Sequence, residues 1–420
     1  MSTRRTFLKT ALAFGAFTIV PRHVLGGRGY TAPSDELTKA VIGIGGMGHW
    51  HLGSTGARLL AVCDVDEAHL QEGLKAGGTD VKGYKDFREV LERKDIDVVH
   101  IATPPHWHGL IAIAAARAGK DIWCEKPMTR SIAEGEKVIE AVRTYGRMFR
   151  VNTWFRYSGD QLYGSGVTAR ECRKLVRSGL LGWPLTVTIA ASTGFEWKFY
   201  WSGKTDLLPQ WIPAGLDYNF WLGPAPYKPF HPHRVHATFR GYWDYDGGGL
   251  GDMGQHYLDP VQYFLGKDSE SPVEIEADAL AQHPEAAGSF RRIVMRYADG
   301  CRIILDGDPK AEETPFIEGP QGKVFKGLRS TVRELKEKLA AFPDGDPDPQ
   351  ITDFMVSVRT REPFALNELN GHRSATLVNL SKISWQLGRG IQFDPKTRRC
   401  PGDDAANRLI DPPMRAPWHL

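Results

Sequence analysis

Cysteine is scarce in this chain. There are five in 420 residues (Cys63, Cys124, Cys172, Cys301 and Cys400), an odd number with no CxxC pair. That pattern argues against a disulfide framework and against a thiolate zinc site. An excess of either charge is also lacking. The formal net charge is only +3 and no basic stripe is present, which argues against nucleic acid as a partner. No apolar run reaches the roughly 18–20 residues that span a bilayer. There is no internal repeat and no low-complexity domain. What remains is an ordinary globular composition, 41% hydrophobic and 25% charged, on a chain long enough for two domains.

The first residues, Thr3-Arg4-Arg5-Thr6-Phe7-Leu8-Lys9, resemble the twin-arginine export consensus. An apolar stretch from Ala11 to Val20 follows, then Pro21 and the small-residue exit Val24-Leu25-Gly26-Gly27. This is the order of a signal peptide. Residues 1–27 are therefore expected to be a twin-arginine signal. The expected partner is the twin-arginine export machinery, and the expected location is the periplasm or another extracytoplasmic space. The resemblance implies export of an already folded protein.

Lys39 to Gly45 reads as a short buried strand entering Gly43-x-Gly45-x-x-Gly48, with Gly46 and Met47 inside the turn. In such a turn the first glycine permits the tight bend. The second lets the backbone approach a pyrophosphate, and the third lets helix and strand pack closely. A second strand, Arg58 to Cys63, delivers Asp64 about 20 residues past the glycines, where a carboxylate accepts from a ribose diol. Asp66 is the alternative. An acid there repels a 2′-phosphate, so NAD is expected over NADP. Strands at 97–102 and 121–124 alternate with a helix at 109–118. That alternation predicts an α/β fold with a doubly wound parallel sheet. Ligands of such sheets bind beyond the carboxyl ends of the strands. Thr103, Pro104, His108, Glu125 and Lys126 fall there. Val151 to Arg156 reads as a sixth strand, with Asn152 and Arg156 as candidates to flank the nicotinamide.

The second half differs. Segments 185–190, 274–279, 291–297 and 301–305 read as strands with few helices between them, which predicts a second, mostly antiparallel sheet. A last helix is expected from Arg373 to Leu387. Gly247 to Gly251 is a flexible turn, and Asp252 and His256 after it share one helix face. Asp252 could equally be an N-cap. Six of the twelve tryptophans lie between Trp183 and Trp243, and aromatic faces suit a sugar ring. His231, His233 and His236 sit in a loop-like stretch and are read as solvated, so no metal is expected. The charged run before PDGDPDP is read as a solvated helix.

The ordered set GxGxxG, IATPPHWH, AGKDIWCEKPM and GGGLGDMGQHYLD resembles the Gfo/Idh/MocA oxidoreductase family over residues 38–395. The resemblance implies a Rossmann domain over 36–155 and an α+β substrate and oligomerisation domain over 156–365. It also implies a helix and tail, 366–420, returning toward the first domain. Lys126, Asp252 and His256 become the catalytic group, with the first proton acceptor open between Lys126 and His256. His256 needs no tuning to work near neutral pH. The implied substrate is a sugar, polyol or glycoside, and the implied assembly a homodimer or homotetramer. Soluble NAD is not available outside the cytoplasm, so the cofactor is expected to be tightly bound. The leading reading is an oxidoreductase acting on a secondary hydroxyl. The alternative is an NAD-dependent glycosidase working by transient oxidation and elimination, and a remote one is a non-catalytic sugar-binding protein.

Overall fold

The computed structural model describes residues 35–153, 155–308, 313–343 and 351–420. The expected export signal, Trp154 and most of the PDGDPDP stretch lie outside them. The first sheet has six strands: β1 (Thr38–Ile42), β2 (Arg58–Cys63), β3 (Lys82–Tyr84), β4 (Val98–Ile101), β5 (Asp121–Glu125) and β6 (Phe149–Asn152). Their order is β3-β2-β1-β4-β5-β6 and every pairing is parallel. The helices are α1 (Gly46–Leu52), α2 (Glu67–Gly77), α3 (Phe87–Glu92), α4 (His108–Arg117) and α5 (Ile132–Thr144). β1, β4 and β5 are buried along their whole length, which is why they read as continuous rather than alternating apolar runs. Asp66, Asp86 and Ser131 start α2, α3 and α5 by accepting backbone N–H bonds. β1 lies between β2 and β4, so strand order reverses there and a crevice opens at the carboxyl ends.

The second sheet has seven strands: β7 (Thr186–Ile189), β8 (Glu274–Asp278), β9 (Arg292–Arg296), β10 (Arg302–Asp306), β11 (Ile317–Gly319), β12 (Gly322–Val324) and β13 (Ile391–Gln392). Their order is β12-β11-β7-β10-β9-β8-β13. Only the β7–β10 pair is parallel; the other ladders are antiparallel. Val187, Ile275, Ile293, Met295, Ile303 and Leu305 turn inward into one core. The remaining helices are α6 (Ala169–Ser178), α7 (Tyr218–Leu222), α8 (Gly248–Leu265), α9 (Leu335–Ala341), α10 (Phe354–Thr360), α11 (Glu368–Leu387) and α12 (Asp404–Ile410).

Three boundaries differ from the sequence reading, each for a local reason. β6 ends at Asn152, so Arg156 is not on a strand. α11 starts five residues before Arg373, because Asn367 accepts from the Leu369 and Asn370 N–H groups and caps it. In that added turn Gly371 lets α11 approach the first sheet: a Cβ there would stand 2.9 Å from the Met128 sulfur and 3.1 Å from Val151. α8 starts at Gly248, so Asp252 lies inside the helix rather than at its cap. The charged helix α9 is not wholly solvated, since Leu335 and Leu339 are buried. α11 packs on α8, α5 and β6, and so ties the two sheets together.

Candidate cofactor and substrate site

A cavity of about 390 Å³ opens at the crevice. Gly43, Gly45 and Gly46 of the glycine turn line it. Gly43 has φ +88°, and a Cβ on it would lie 2.7 Å from the backbone of Ala102 and Thr103. A Cβ on Gly48 would stand 2.0 Å from the Gly43 carbonyl oxygen. Gly45 and Gly46 have nothing within 4 Å, and both line the cavity with Met47. The two closed glycines hold helix to strand, and the two open ones leave a backbone cradle of the kind a dinucleotide pyrophosphate fills. Gly48→Ala should therefore break the cradle. The added methyl meets backbone, which cannot step aside, and overpacking of this kind costs about 1–3 kcal/mol. The expected outcome is loss of retained cofactor, read as NAD(H) per chain after denaturation, with a lowered Tm.

Asp64 lines the cavity at the end of β2. Its carboxylate accepts the Ile44 N–H at 2.7 Å and the Asp66 N–H at 2.9 Å. Asp66 points elsewhere. It caps α2 and pairs with His236 at 3.2 Å. Of the two candidates, Asp64 is thus the one facing the ribose position. Among the described residues, Asp66, His69 and His236 offer ligand atoms within 4.8 Å of one another, and His236, read as a solvated loop histidine, is exposed. His231 and His233 go other ways: His231 accepts the His233 N–H, and the His233 ring meets the Tyr242 hydroxyl at 2.7 Å.

Thr103, Pro104, Glu125 and Lys126 line the cavity from the strand ends, and Asp252 meets them from α8. Lys126 Nζ donates to the Asp252 carbonyl at 2.7 Å and to Asp252 Oδ1 at 3.1 Å. Arg240 Nε and Lys198 Nζ also reach the Asp252 carboxylate, at 2.9 and 3.4 Å. Burial alone would raise the Asp252 carboxyl, yet Lys126, Arg240 and Lys198 hold it well below the usual carboxylate range. Glu125 is buried, but the His51 ring at 2.9 Å and the Asn152 amide at 2.6 Å hold its carboxyl below the ordinary value.

Four candidates stand behind the cavity wall rather than in it. Asn152 acts on Glu125. The His108 ring nitrogens lie 2.8 and 2.7 Å from the Pro127 and Thr103 carbonyl oxygens, bracing two strand-end loops against each other. His256 is buried one turn beyond Asp252, and burial, reinforced by Lys126, pushes its imidazole well below the usual value. The reading that it needs no tuning is corrected accordingly: it is neutral, but a weak base. Arg156 does not flank a nicotinamide. Its guanidinium is fully buried against Asp259 at 2.8 Å and Asp268 at 2.5 Å.

Over the cavity stand Phe220, Trp221, Phe239 and Arg240, all from the second half of the chain. The segment carrying them is tied to the first sheet's loops. The Glu67 N–H donates to the Gly215 carbonyl at 2.9 Å, and the Asp217 N–H to the Val65 carbonyl at 3.1 Å. Of the clustered tryptophans, Trp221 lines the cavity, Trp197 and Trp243 are core residues, and Trp211 is 96% exposed. Lys198, Arg240 and His51 were missed because no motif contains them. Arg240's place seven residues before the glycine turn was the one available hint.

The family model described as "Oxidoreductase family, NAD-binding Rossmann fold" matches residues 37–153, and "Oxidoreductase family, C-terminal alpha/beta domain" matches 165–420. An inositol 2-dehydrogenase of Salmonella typhimurium is 31% identical over 201 residues, 46% of this chain and 56% of that protein. The chain thus spans just over half the length of that curated relative. A myo-inositol 2-dehydrogenase of Thermotoga maritima is 23% identical over 379 residues, covering 84% of this chain and 98% of that one. The crystal structure of the WlbA dehydrogenase from Bordetella pertussis, in complex with NADH and UDP-GlcNAcA, shares the fold. Its TM-score is 0.57 at 18% identity, covering 86% of this chain and 99% of that one. With both sheets, the glycine cradle and the two family models in agreement, the chain belongs to the Gfo/Idh/MocA oxidoreductase family, and residues 37–153 are that family's NAD-binding Rossmann domain.

Proposed function

We propose that the protein is an NAD-dependent oxidoreductase acting on a secondary hydroxyl of a sugar or polyol, with its cofactor tightly held. The observation that carries this reading is the Lys126–Asp252 pair, which stands in the wall of the same cavity as the glycine cradle. Bound NAD supplies the hydride acceptor or donor. Lys126, fixed by its two bonds to Asp252, offers its remaining N–H to the reacting oxygen. Asp252, kept charged by its three cations, holds that ammonium in place as charge shifts at the oxygen. Glu125, anchored by His51 and Asn152, fixes the loop that carries Lys126. Phe220, Trp221 and Phe239 keep water from the site and offer faces for a ring. The backbone ties at Val65 and Glu67 support a retained cofactor, because the roof over the cavity cannot lift without breaking them. This reading suits a protein exported folded by the twin-arginine route to the periplasm, where it must regenerate NAD in place.

The test is to denature the purified protein and measure released NAD(H) and NADP(H) per chain. About one NAD(H), with little NADP(H), is the expected result, followed by reduction of the bound cofactor on addition of a sugar or polyol. Empty protein with only weak NAD affinity would overturn the retained-cofactor reading. Release of an aglycone from a glycoside without net cofactor reduction would favour the glycosidase.

A further inference from the structure

The cations beside the reacting position outnumber the carboxylate they share. Lys126 Nζ and Arg240 Nε stand 3.1 and 2.9 Å from Asp252 Oδ1, and Lys198 Nζ stands 3.4 Å from Oδ2. Three cations against one carboxylate leave two positive charges over. Charge held away from bulk water is costly unless it is paired. The other anions nearby are poorly placed to cancel it. Glu125 is already met by His51 and Asn152. Burial and Asp252 raise the Asp246 carboxyl to about 7, so it carries only part of its charge at neutral pH. Glu196, on the loop that carries Lys198, is exposed. Bound NAD does not cancel the surplus either. Its pyrophosphate belongs at the glycine cradle, and its nicotinamide is itself cationic when oxidised.

Arg240 and Lys198 are the two within reach of an arriving molecule. The Lys126 side chain is 12% exposed, Arg240 24% and Lys198 32%, so the surplus lies toward solvent. Arg240 lines the cavity, with Nε on Asp252 and Nη1 on the Ala237 carbonyl, while Nη2 meets no acceptor among the described residues. The Lys198 ammonium makes only its long bond to Asp252. Both are held in place. The Arg240 guanidinium lies 4.9 and 5.1 Å from the ring centroids of Phe239 and Trp201. Lys198 has φ +47°, a left-handed backbone that a lysine rarely adopts. The Trp201 N–H closes that turn on the Lys198 carbonyl at 2.9 Å. The turn is packed on α8, where a Cβ on Gly249 would come 1.8 Å from the Trp197 carbonyl oxygen. Strain of this kind persists where the surrounding fold imposes it, commonly at ligand clamps. Hydrogen bonds through one shared carboxylate place the charged groups about 6–8 Å apart at most. A hydroxyl on Lys126 therefore has Arg240 and Lys198 only a few carbon atoms away along one small molecule.

We propose that the substrate is an acidic sugar or polyol, whose carboxylate is bound by Lys198 and Arg240 while Lys126 engages the reacting hydroxyl. This rests on the hydroxyl-oxidation reading above. A carboxylate offers two oxygens to donors on two side chains, an arrangement that suits the fork of an arginine. It also brings the negative charge that this end of the site lacks, and opposite charge selects partners by penalising the wrong ones. Lys198 and Arg240 are on this account the residues that set specificity.

The test uses pairs of compounds that differ only in CH2OH against carboxylate: methyl glucoside and methyl glucuronide, methyl galactoside and methyl galacturonide, sorbitol and gluconate. With NAD-loaded wild type, kcat/KM should be at least about tenfold higher for the acidic member of a pair that is turned over. Raising salt from about 20 to about 500 mM should shrink that advantage and leave the neutral member little changed. Lys198→Gln should lower the acid-to-neutral ratio about tenfold, and Lys198→Arg should keep it. A readout apart from turnover is calorimetric binding to holoprotein holding NADH, from which none of these compounds can take a hydride. There the acid should bind about tenfold tighter than its neutral partner, and K198Q should lose the difference. Should K198Q fail to fold, the salt dependence of wild-type binding decides. No preference for the acid in binding, or a preference that neither K198Q nor salt moves, overturns the proposal whether or not cofactor is reduced. Neutral members turned over as fast as acidic ones also overturn it and leave the oxidoreductase reading standing. A bound cofactor that no sugar or polyol reduces would sink that reading instead.

Discussion

Lys126→Ala is expected to lower kcat by about 10³-fold or more while the protein stays folded and keeps its cofactor. The reason is geometric. Lys126 follows β5 directly, so the sheet fixes its backbone, and two bonds to Asp252 fix its ammonium. Arg240 and Lys198 remain to neutralise Asp252 in the variant, so no buried charge is left unpaired and the fold should survive. Neither can stand in at the reacting oxygen, because each approaches Asp252 from the segment between β7 and α8 and is already engaged there. Lys126→Arg should not restore the rate, since a planar guanidinium does not reproduce a compact ammonium. The measurement is steady-state reduction of bound cofactor by a validated substrate, with released NAD(H) per chain as the control. Unchanged kcat would remove Lys126 from the site.

The parallel sheet and its glycine turn were legible because their constraints are local. A glycine whose Cβ would strike backbone, as at Gly43 and Gly48, must be glycine, and the spacing of such positions shows in sequence. Asp64 was legible for the same reason, as the residue that follows β2. Lys126 and Asp252 are 126 residues apart and meet only in the fold. Each nevertheless lies in a motif, so the resemblance could join them. Arg240 and Lys198 come from irregular segments with no period to read, and nothing in sequence says which carboxylate they reach. His256 illustrates a different limit. Its four-residue spacing from Asp252 gave the shared helix face, but spacing carries no information on burial, and burial decides its proton affinity. The tryptophan cluster divided among cavity, core and solvent because aromatic content alone does not distinguish a ligand face from a packed one.

Arg156 shows how large the effect of such a reassignment is. Expected beside the nicotinamide, it is instead fully buried, with Nε and Nη2 on the Asp259 carboxylate at 3.0 and 2.8 Å and Nη1 on Asp268 at 2.5 Å. Asp259 is on α8, the helix that carries Asp252, so this pair anchors the chain just past β6 to the centre of the second domain. Arg156→Leu removes the cation and leaves Asp259 buried without compensation, which typically costs about 3–5 kcal/mol. At about 2–4 °C per kcal/mol for domains of this size, Tm should fall by roughly 6–20 °C. Adding Asp259→Leu to Arg156→Leu should recover much of the loss at neutral pH, because a buried pair replaced whole by apolar side chains is often tolerated. Below its melting transition Arg156→Leu should still hold about one NAD(H) per chain and turn over. A variant that keeps its Tm but sheds the cofactor would return Arg156 to the nicotinamide.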